Sequence, residues 1–337
     1  MTIEAFDRVH LDGTGIDRIT EDEVVAVVRD ALAHGRGGRI ITPNVDILRR
    51  ASADPRVRRH LDDADLIVAD GMPLVWASRL GGAPLPERVA GSSLIWSLSA
   101  GLGRDSRSIF VIGGTPVSSG GPGSSGAPGS SGAPGSSGAP GSSGAPGSSG
   151  APGSSGAPGS SGAPGGAPGA GGAPGSGGTS GFGGTSGFGG VSAFGGSADG
   201  AARAAARLAA ACPGLRIAGT LSPAFGFEKE ETGYARFCAQ VVQAEPDLVF
   251  VGLGFPKQEF VIERLRSHLP RAWFVGCGAA VNFVAGDVHR APRWMQRTGL
   301  EWAHRLGTEP RRLAGRYLRH DAPYALRLLA RAPRRRP

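Results

Sequence analysis

The sequence predicts an α/β fold: a Rossmann-like parallel sheet with helices on both faces, a long disordered Gly/Ser/Ala/Pro insert and a basic helical C-terminal appendage. Three observations lead there. Short, uninterrupted apolar runs such as Leu66-Ile67-Val68-Ala69 and Ile109-Phe110-Val111-Ile112 read as strands buried on both faces. Segments of helical length separate them, and strand-helix alternation implies a parallel sheet. The first runs stop at polar residues beside Gly or Pro, which places those residues at a carboxyl sheet edge, where open α/β sheets hold ligands.

Thr20 and Glu23 form a capping box for a helix that runs through Val24, Val28 and Leu32 to a stop at Gly35. The strand Arg39 to Ile41 follows and ends in Thr42-Pro43-Asn44. Helical pieces over 45–51 and 54–61 lead to the strand closed by Asp70. Pro73 suits the first turn of the next helix. A helix over 93–102 precedes the strand 108–112. Past the insert come a helix over 201–211, a strand 215–218, a helix 230–243, a strand 247–251, a helix 257–268 and a strand 272–275.

The chain has 337 residues, of which 118–199 are almost wholly Gly, Ser, Ala, Pro and Thr. Removing these leaves 255, the size of one α/β domain with an addition. The predicted division is a core of 1–117 and 200–289, the insert 118–199, and an appendage 290–337. Residues 123–164 are seven copies of Gly-Ser-Ser-Gly-Ala-Pro, and glycine recurs at every third position, as in a collagen template. A rod would carry the two ends of a strand-to-helix connection far apart, so the insert reads as a disordered loop. Lengthening a loop from about 4 to about 82 residues costs only about 2.7 kcal/mol.

The formal net charge of +8 is concentrated at one end. Residues 290–337 hold 13 Arg and three acids, a charge of +10, so the remainder sums to −2. Such a tail suits a membrane surface, a phosphorylated substrate or a nucleic acid; no nucleic-acid module is legible. Trp294, Trp302, Tyr317 and Tyr324 among the arginines favour a membrane interface. No apolar run approaches the roughly 20 residues that span a bilayer, and residues 1–7 lack the apolar centre of a secretory signal. Three dispersed cysteines, an odd number, point to a reducing cytoplasm rather than to disulfides or zinc.

Asp70 leaves two readings open: a cap for the following helix, or a base held beside the hydroxyl and amide of Thr42 and Asn44 at the same edge. The turn from Gly252 through Gly254, Pro256 and Lys257 to Glu259 brings backbone N–H groups to a helix start, which suits a phosphate. It is not a dinucleotide fingerprint, because Lys257 stands where the third glycine belongs. The fork of arginine fits a diphosphate better than lysine does.

The blocks Thr42-Pro43-Asn44, Ala69-Asp70-Gly71-Met72-Pro73, Glu87-Arg88-Val89-Ala90-Gly91, Gly252 to Glu259, Arg290-Ala291-Pro292-Arg293-Trp294 and Gly299-Leu300-Glu301-Trp302, in that order, resemble the WecG/TagA/CpsF family of bacterial glycosyltransferases. The resemblance covers nearly all of the chain except the insert. It implies transfer of an N-acetylmannosamine-type sugar from UDP to N-acetylglucosamine on undecaprenyl diphosphate, with inversion and without a metal or other cofactor, in cell-surface polysaccharide or teichoic-acid-type synthesis. It further implies a peripheral enzyme on the inner face of the plasma membrane; self-association is left open. By resemblance Asp70 is the base. Thr42, Asn44, Arg88 and Gln258 position sugars, and the Gly252 to Glu259 turn with Gly276 lies near the nucleotide. Arg290, Arg293, Arg297, Arg305 and Arg312 meet the diphosphate or the membrane. Two acids usual in the family are Ser93 and Asn282 here. Two other readings therefore stay open: a nucleotide-sugar or lipid-diphosphate binding protein, and a scaffold that recruits partners through the repeat and the tail.

Overall fold

The computed structural model describes residues 6–116 and 199–332, except the side chains of residues 293, 297 and 312. The insert and its expected disorder lie outside the described residues. In the described chain, strands β3 (Gly38–Ile41), β4 (Leu66–Ile67), β5 (Ser108–Gly113), β6 (Arg216–Leu221), β7 (Leu248–Gly252) and β8 (Trp273–Gly276) form one sheet. Its order is β4-β3-β8-β7-β5-β6, and every pairing is parallel. The expected Rossmann-like α/β architecture is the one observed.

Successive residues of the central strands enter opposite layers, as a two-residue side-chain period requires. Ile109 and Val111 join Phe250 and Val275 in a core with α1 (Glu21–Ala33), α5 (Gly91–Arg104), α6 (Gly200–Ala211) and α9 (Ala280–Ala285). Phe110, Ile112, Val249, Val251 and Phe274 pack on the other face against α7 (Glu231–Gln243) and α8 (Lys257–Arg266). A third cluster joins Ile41, Ile67 and Leu74 to α2 (Val45–Ala53), α3 (Pro55–Asp62), α4 (Met72–Leu80) and the hairpin β1 (Arg8–Leu11) and β2 (Thr14–Asp17).

The capping box at Thr20 forms: its side chain accepts from the Glu23 amide, and the Glu23 carboxylate receives the Thr20 N–H at 2.8 Å. The run ending at Asp70 differs from expectation in ladder length. Regular pairing stops at Ile67, although the Val68 amide still reaches the Ile41 carbonyl and the Asp70 amide that of Pro43. Pro43 has no N–H to give in return, so the ladder decays there.

The C-terminal segment is helical, as expected: α10 (Arg293–Thr298), α11 (Glu301–Thr308), α12 (Pro310–Arg316), one π-helical turn (Tyr317–Asp321) and α13 (Ala322–Arg331). Leu328 and Ala332 bury themselves in the cluster that holds Val9 and Leu11. No helix among the described residues is long and apolar enough to cross a membrane.

Candidate active site

The carboxyl edges of β3 and β4 bring two loops together. In the first, Asn44 caps α2, its Oδ1 accepting from the Ile47 amide at 3.1 Å, and it lines a cavity of about 400 Å³. In the second, Asp70 precedes Gly71, the actual N-cap of α4, which is capped by no side chain. The capping reading of Asp70 is thereby removed. Among the described residues no hydrogen bond reaches the Asp70 carboxylate. It opens into the same cavity, together with Arg88, Glu301 and Arg305.

Burial pushes the Asp70 carboxyl up to about 7, against the pull of Arg88, Arg305 and Arg290 and with a further push from Glu301. The residue is half-buried and lines the cavity. A carboxylate so tuned exchanges protons near neutrality. Glu301 pairs with Arg88 at 3.0 Å, Arg305 at 3.3 Å and Arg290 at 3.7 Å. Burial alone would raise the Glu301 carboxyl, but Arg305, Arg88 and Arg290 together hold it below the ordinary range. The guanidinium of Arg290 also donates to the Ser92 carbonyl at 3.3 Å. The outer wall is apolar and aromatic, with Met72, Trp76, Trp302, Tyr317, Leu318 and Leu326. Several of these are well exposed: Leu326 by 67% and Leu318 by 60%.

Other residues picked from the sequence go elsewhere. Thr42 is buried and donates to the Gly276 carbonyl at 3.2 Å, so it ties β3 to β8 rather than lining the cavity. Gln258 is also buried. Its Nε2 donates to Glu259 at 2.9 Å, and its Oε1 accepts from the Gly278 amide at 3.0 Å. Glu259 is fully buried against Arg39, at 2.6 Å. Lys257 pairs with Glu228 at 2.8 Å and lies over the Phe225 ring, which turns its charge toward the loop before α7. Gly252, Gly254, Pro256 and Gly276 sit at the carboxyl edge without lining the cavity. The side chains of Arg293, Arg297 and Arg312 lie outside the described structure. Ser93 bonds back to the Ala90 carbonyl within α5, and Asn282 sits in α9; neither lines the cavity. Sequence reasoning gave Glu301 no role. Its signal is an acid in the arginine-rich tail.

A family model described as "Glycosyl transferase WecG/TagA/CpsF family" matches residues 9–119 and 187–337, leaving out most of the insert. The chain belongs to this glycosyltransferase family. A second model, "Collagen triple helix repeat (20 copies)", matches residues 113–167. A relative from Bacillus spizizenii, named N-acetylglucosaminyldiphosphoundecaprenol N-acetyl-beta-D-mannosaminyltransferase, is 25% identical over 281 residues, covering 83% of this chain and 75% of its own length. A Bacillus subtilis protein of the same name is 40% identical over 98 residues, covering 29% of this chain and 36% of its own. Within that match, the loops after β3 and β4, Arg88, and Glu301 and Arg305 of the C-terminal segment meet around Asp70.

Proposed function

We propose that this glycosyltransferase moves an N-acetylmannosamine-type sugar from UDP to N-acetylglucosamine carried on undecaprenyl diphosphate, at the inner face of the plasma membrane. The names of the two relatives supply the acceptor and the sugar. One observation carries the reading: the Asp70 carboxylate, which no hydrogen bond reaches among the described residues, faces a cavity on which Arg88 and Arg305 open, with Arg290 close enough to act on its charge. The apolar outer wall suits the lipid-borne end of such an acceptor.

In the proposed step the acceptor hydroxyl oxygen attacks the anomeric carbon from the side opposite UDP. Its proton passes to Asp70. The bond from the anomeric carbon to the phosphate oxygen breaks, and UDP leaves with the electron pair, so the anomeric centre inverts. Arg88, Arg290 and Arg305 offset the charge that develops on the diphosphate, the electrostatic task that a bound cation performs in other enzymes. On this reading residues 1–117 and 200–289 form the catalytic core, and 290–337 close over it and meet the anionic membrane surface. The insert takes no part in the chemistry.

UDP release across a panel of UDP-sugars, with a short-chain lipid-diphosphate N-acetylglucosamine acceptor, tests this. Turnover with an N-acetylmannosamine donor, insensitive to chelator and giving an inverted linkage, is expected. UDP binding without release across the whole panel would instead make the chain a binding protein.

A further inference from the structure

Glu301 is the first residue of α11, and its carboxylate is only 10% exposed. Its two oxygens are taken by three guanidiniums from separate parts of the chain. Arg88 comes from the connection between α4 and α5, Arg290 from the segment before α10, and Arg305 from the next turn of α11. Arg88 and Arg305 line the cavity and Arg290 lies beside them against the same carboxylate; three cations so close repel one another unless an anion sits among them. In the chain itself that anion is Glu301. Because both of its oxygens are engaged, it is poorly placed to accept a substrate proton.

We propose that Glu301 is a positioning residue. Its carboxylate draws Arg88 of the core and Arg290 and Arg305 of the C-terminal segment to one point beside Asp70, before the donor diphosphate arrives, and sets the charge that Asp70 faces. This rests on the glycosyltransferase reading of the cavity. It adds that the arginine cluster is assembled by an internal carboxylate, and that the C-terminal segment joins the core through the site itself. Asp70 is faced by Arg88, Arg290, Arg305 and Glu301. The other charged or titratable residues that line the cavity, Asp46, Arg316, Tyr317 and Asp321, are the same in every variant below.

The test uses the full chain and two readouts that need no turnover. One is the titration of the Asp70 carboxyl by carbon NMR, its resonance assigned by its loss in Asp70→Asn. The other is UDP affinity by calorimetry. In Glu301→Gln a negative neighbour is lost and three arginines are released from it. The Asp70 midpoint is expected to fall by about one pH unit or more, the scale of one charged neighbour. UDP binding is expected to weaken about tenfold or more as the guanidiniums splay. Glu301→Asp keeps the charge but withdraws it from Arg88; it should weaken UDP binding while leaving the Asp70 midpoint near that of the parent. Loss of fold produces no such split, and the split decides the matter if Glu301→Gln fails to fold. An unmoved midpoint or tighter UDP binding in Glu301→Gln overturns the proposal. A parent protein that turns over normally beside such a result leaves the glycosyltransferase reading intact. A parent that neither binds UDP nor turns over removes that reading, while the Asp70 titration still decides the role of Glu301.

Discussion

The Asp70 amide donates to the Pro43 carbonyl at 2.9 Å, and this bond fastens the loop after β4 to the loop after β3. It fixes the backbone beside the cavity, while no hydrogen bond among the described residues reaches the Asp70 carboxylate. Position and reactivity therefore reside in different atoms of one residue, which makes the side chain separable from the fold by mutation. In Asp70→Asn turnover should fall by about 10²-fold or more, the scale of a lost general base. The far-ultraviolet circular dichroism spectrum should match that of the parent. UDP release measures the first effect, and near-normal release would remove Asp70 from the base role.

The raised Asp70 carboxyl also links activity and stability to pH. A base must be ionised, so kcat/KM should fall as pH drops through about 7, the value to which burial pushes this group. The stability effect has the opposite sense. The folded state holds the proton more tightly than the unfolded chain, whose Asp titrates near 3.9. The cost of ionising Asp70 is therefore absent well below pH 4 and grows as pH rises to about 7. Asp70→Asn escapes that cost. It should be more stable than the parent at pH 8, by about 1–3 kcal/mol after allowance for partial exposure, and nearly equal to it at pH 4. Thermal melts of both proteins at the two pH values check this. A melting difference that does not change with pH would contradict it.

The strands were legible because a sheet covered on both faces needs uninterrupted apolar runs, and those of β5, β7 and β8 are uninterrupted. The hairpin of β1 and β2 was missed. Its strands have four residues each, and the clue was Asp12-Gly13, both at positive φ in the turn. The site was legible where backbone topology alone brings residues together, as for Asn44 and Asp70. It was not legible where side-chain direction depends on distant partners. Lys257 turns to Glu228, and Gln258 turns inward to Glu259 and the Gly278 amide. Glu301 meets Arg88 across 213 positions of sequence, a pairing that no local pattern encodes.

Arg39 and Glu259 form an ion pair with both side chains fully buried, and through Gln258 that pair holds the turn at Gly278. Removing Glu259 leaves the buried Arg39 guanidinium with only the exposed carboxylate of Asp63, at 3.4 Å, to offset its charge. Glu259→Ala should destabilise the fold by about 3–5 kcal/mol. Replacing both partners with apolar residues, Arg39→Met with Glu259→Leu, should cost less than the single change, because no charge is then stranded. Urea unfolding of the three proteins measures this. A double variant less stable than Glu259→Ala would contradict it.

Tyr324 ties α13 to the core: its hydroxyl donates to Asp12 at 2.6 Å and lies 3.0 Å from the Ser52 hydroxyl. Tyr324→Phe removes both contacts and keeps the ring, at a cost of about 1–2 kcal/mol. That cost should fall on local opening of the C-terminal helices, whose main anchors here are Leu328 and Ala332. The tail is rich in arginine, so trypsin reports the opening directly. Cleavage within 311–331 should speed up by about tenfold, since about 1.4 kcal/mol is a factor of ten in an equilibrium. The main thermal transition should move little. Unchanged cleavage would show that the hydroxyl does not secure the segment.

The described residues that flank the insert meet at one point. The Gly200 amide donates to the Thr115 carbonyl at 2.9 Å, and Asp199 caps α6 through the Ala202 amide at 2.8 Å. Residues 115 and 200 are thus held at hydrogen-bond distance. A short connection can bridge that gap, and shortening a loop from about 82 residues to a few gains about 2–3 kcal/mol of closure entropy at most. Deleting Ser118 to Gly196 should leave UDP release within about twofold and the melting temperature equal or slightly higher. A deletion variant that folds, with the same circular dichroism spectrum, yet has lost turnover would show that the repeat serves the catalytic step.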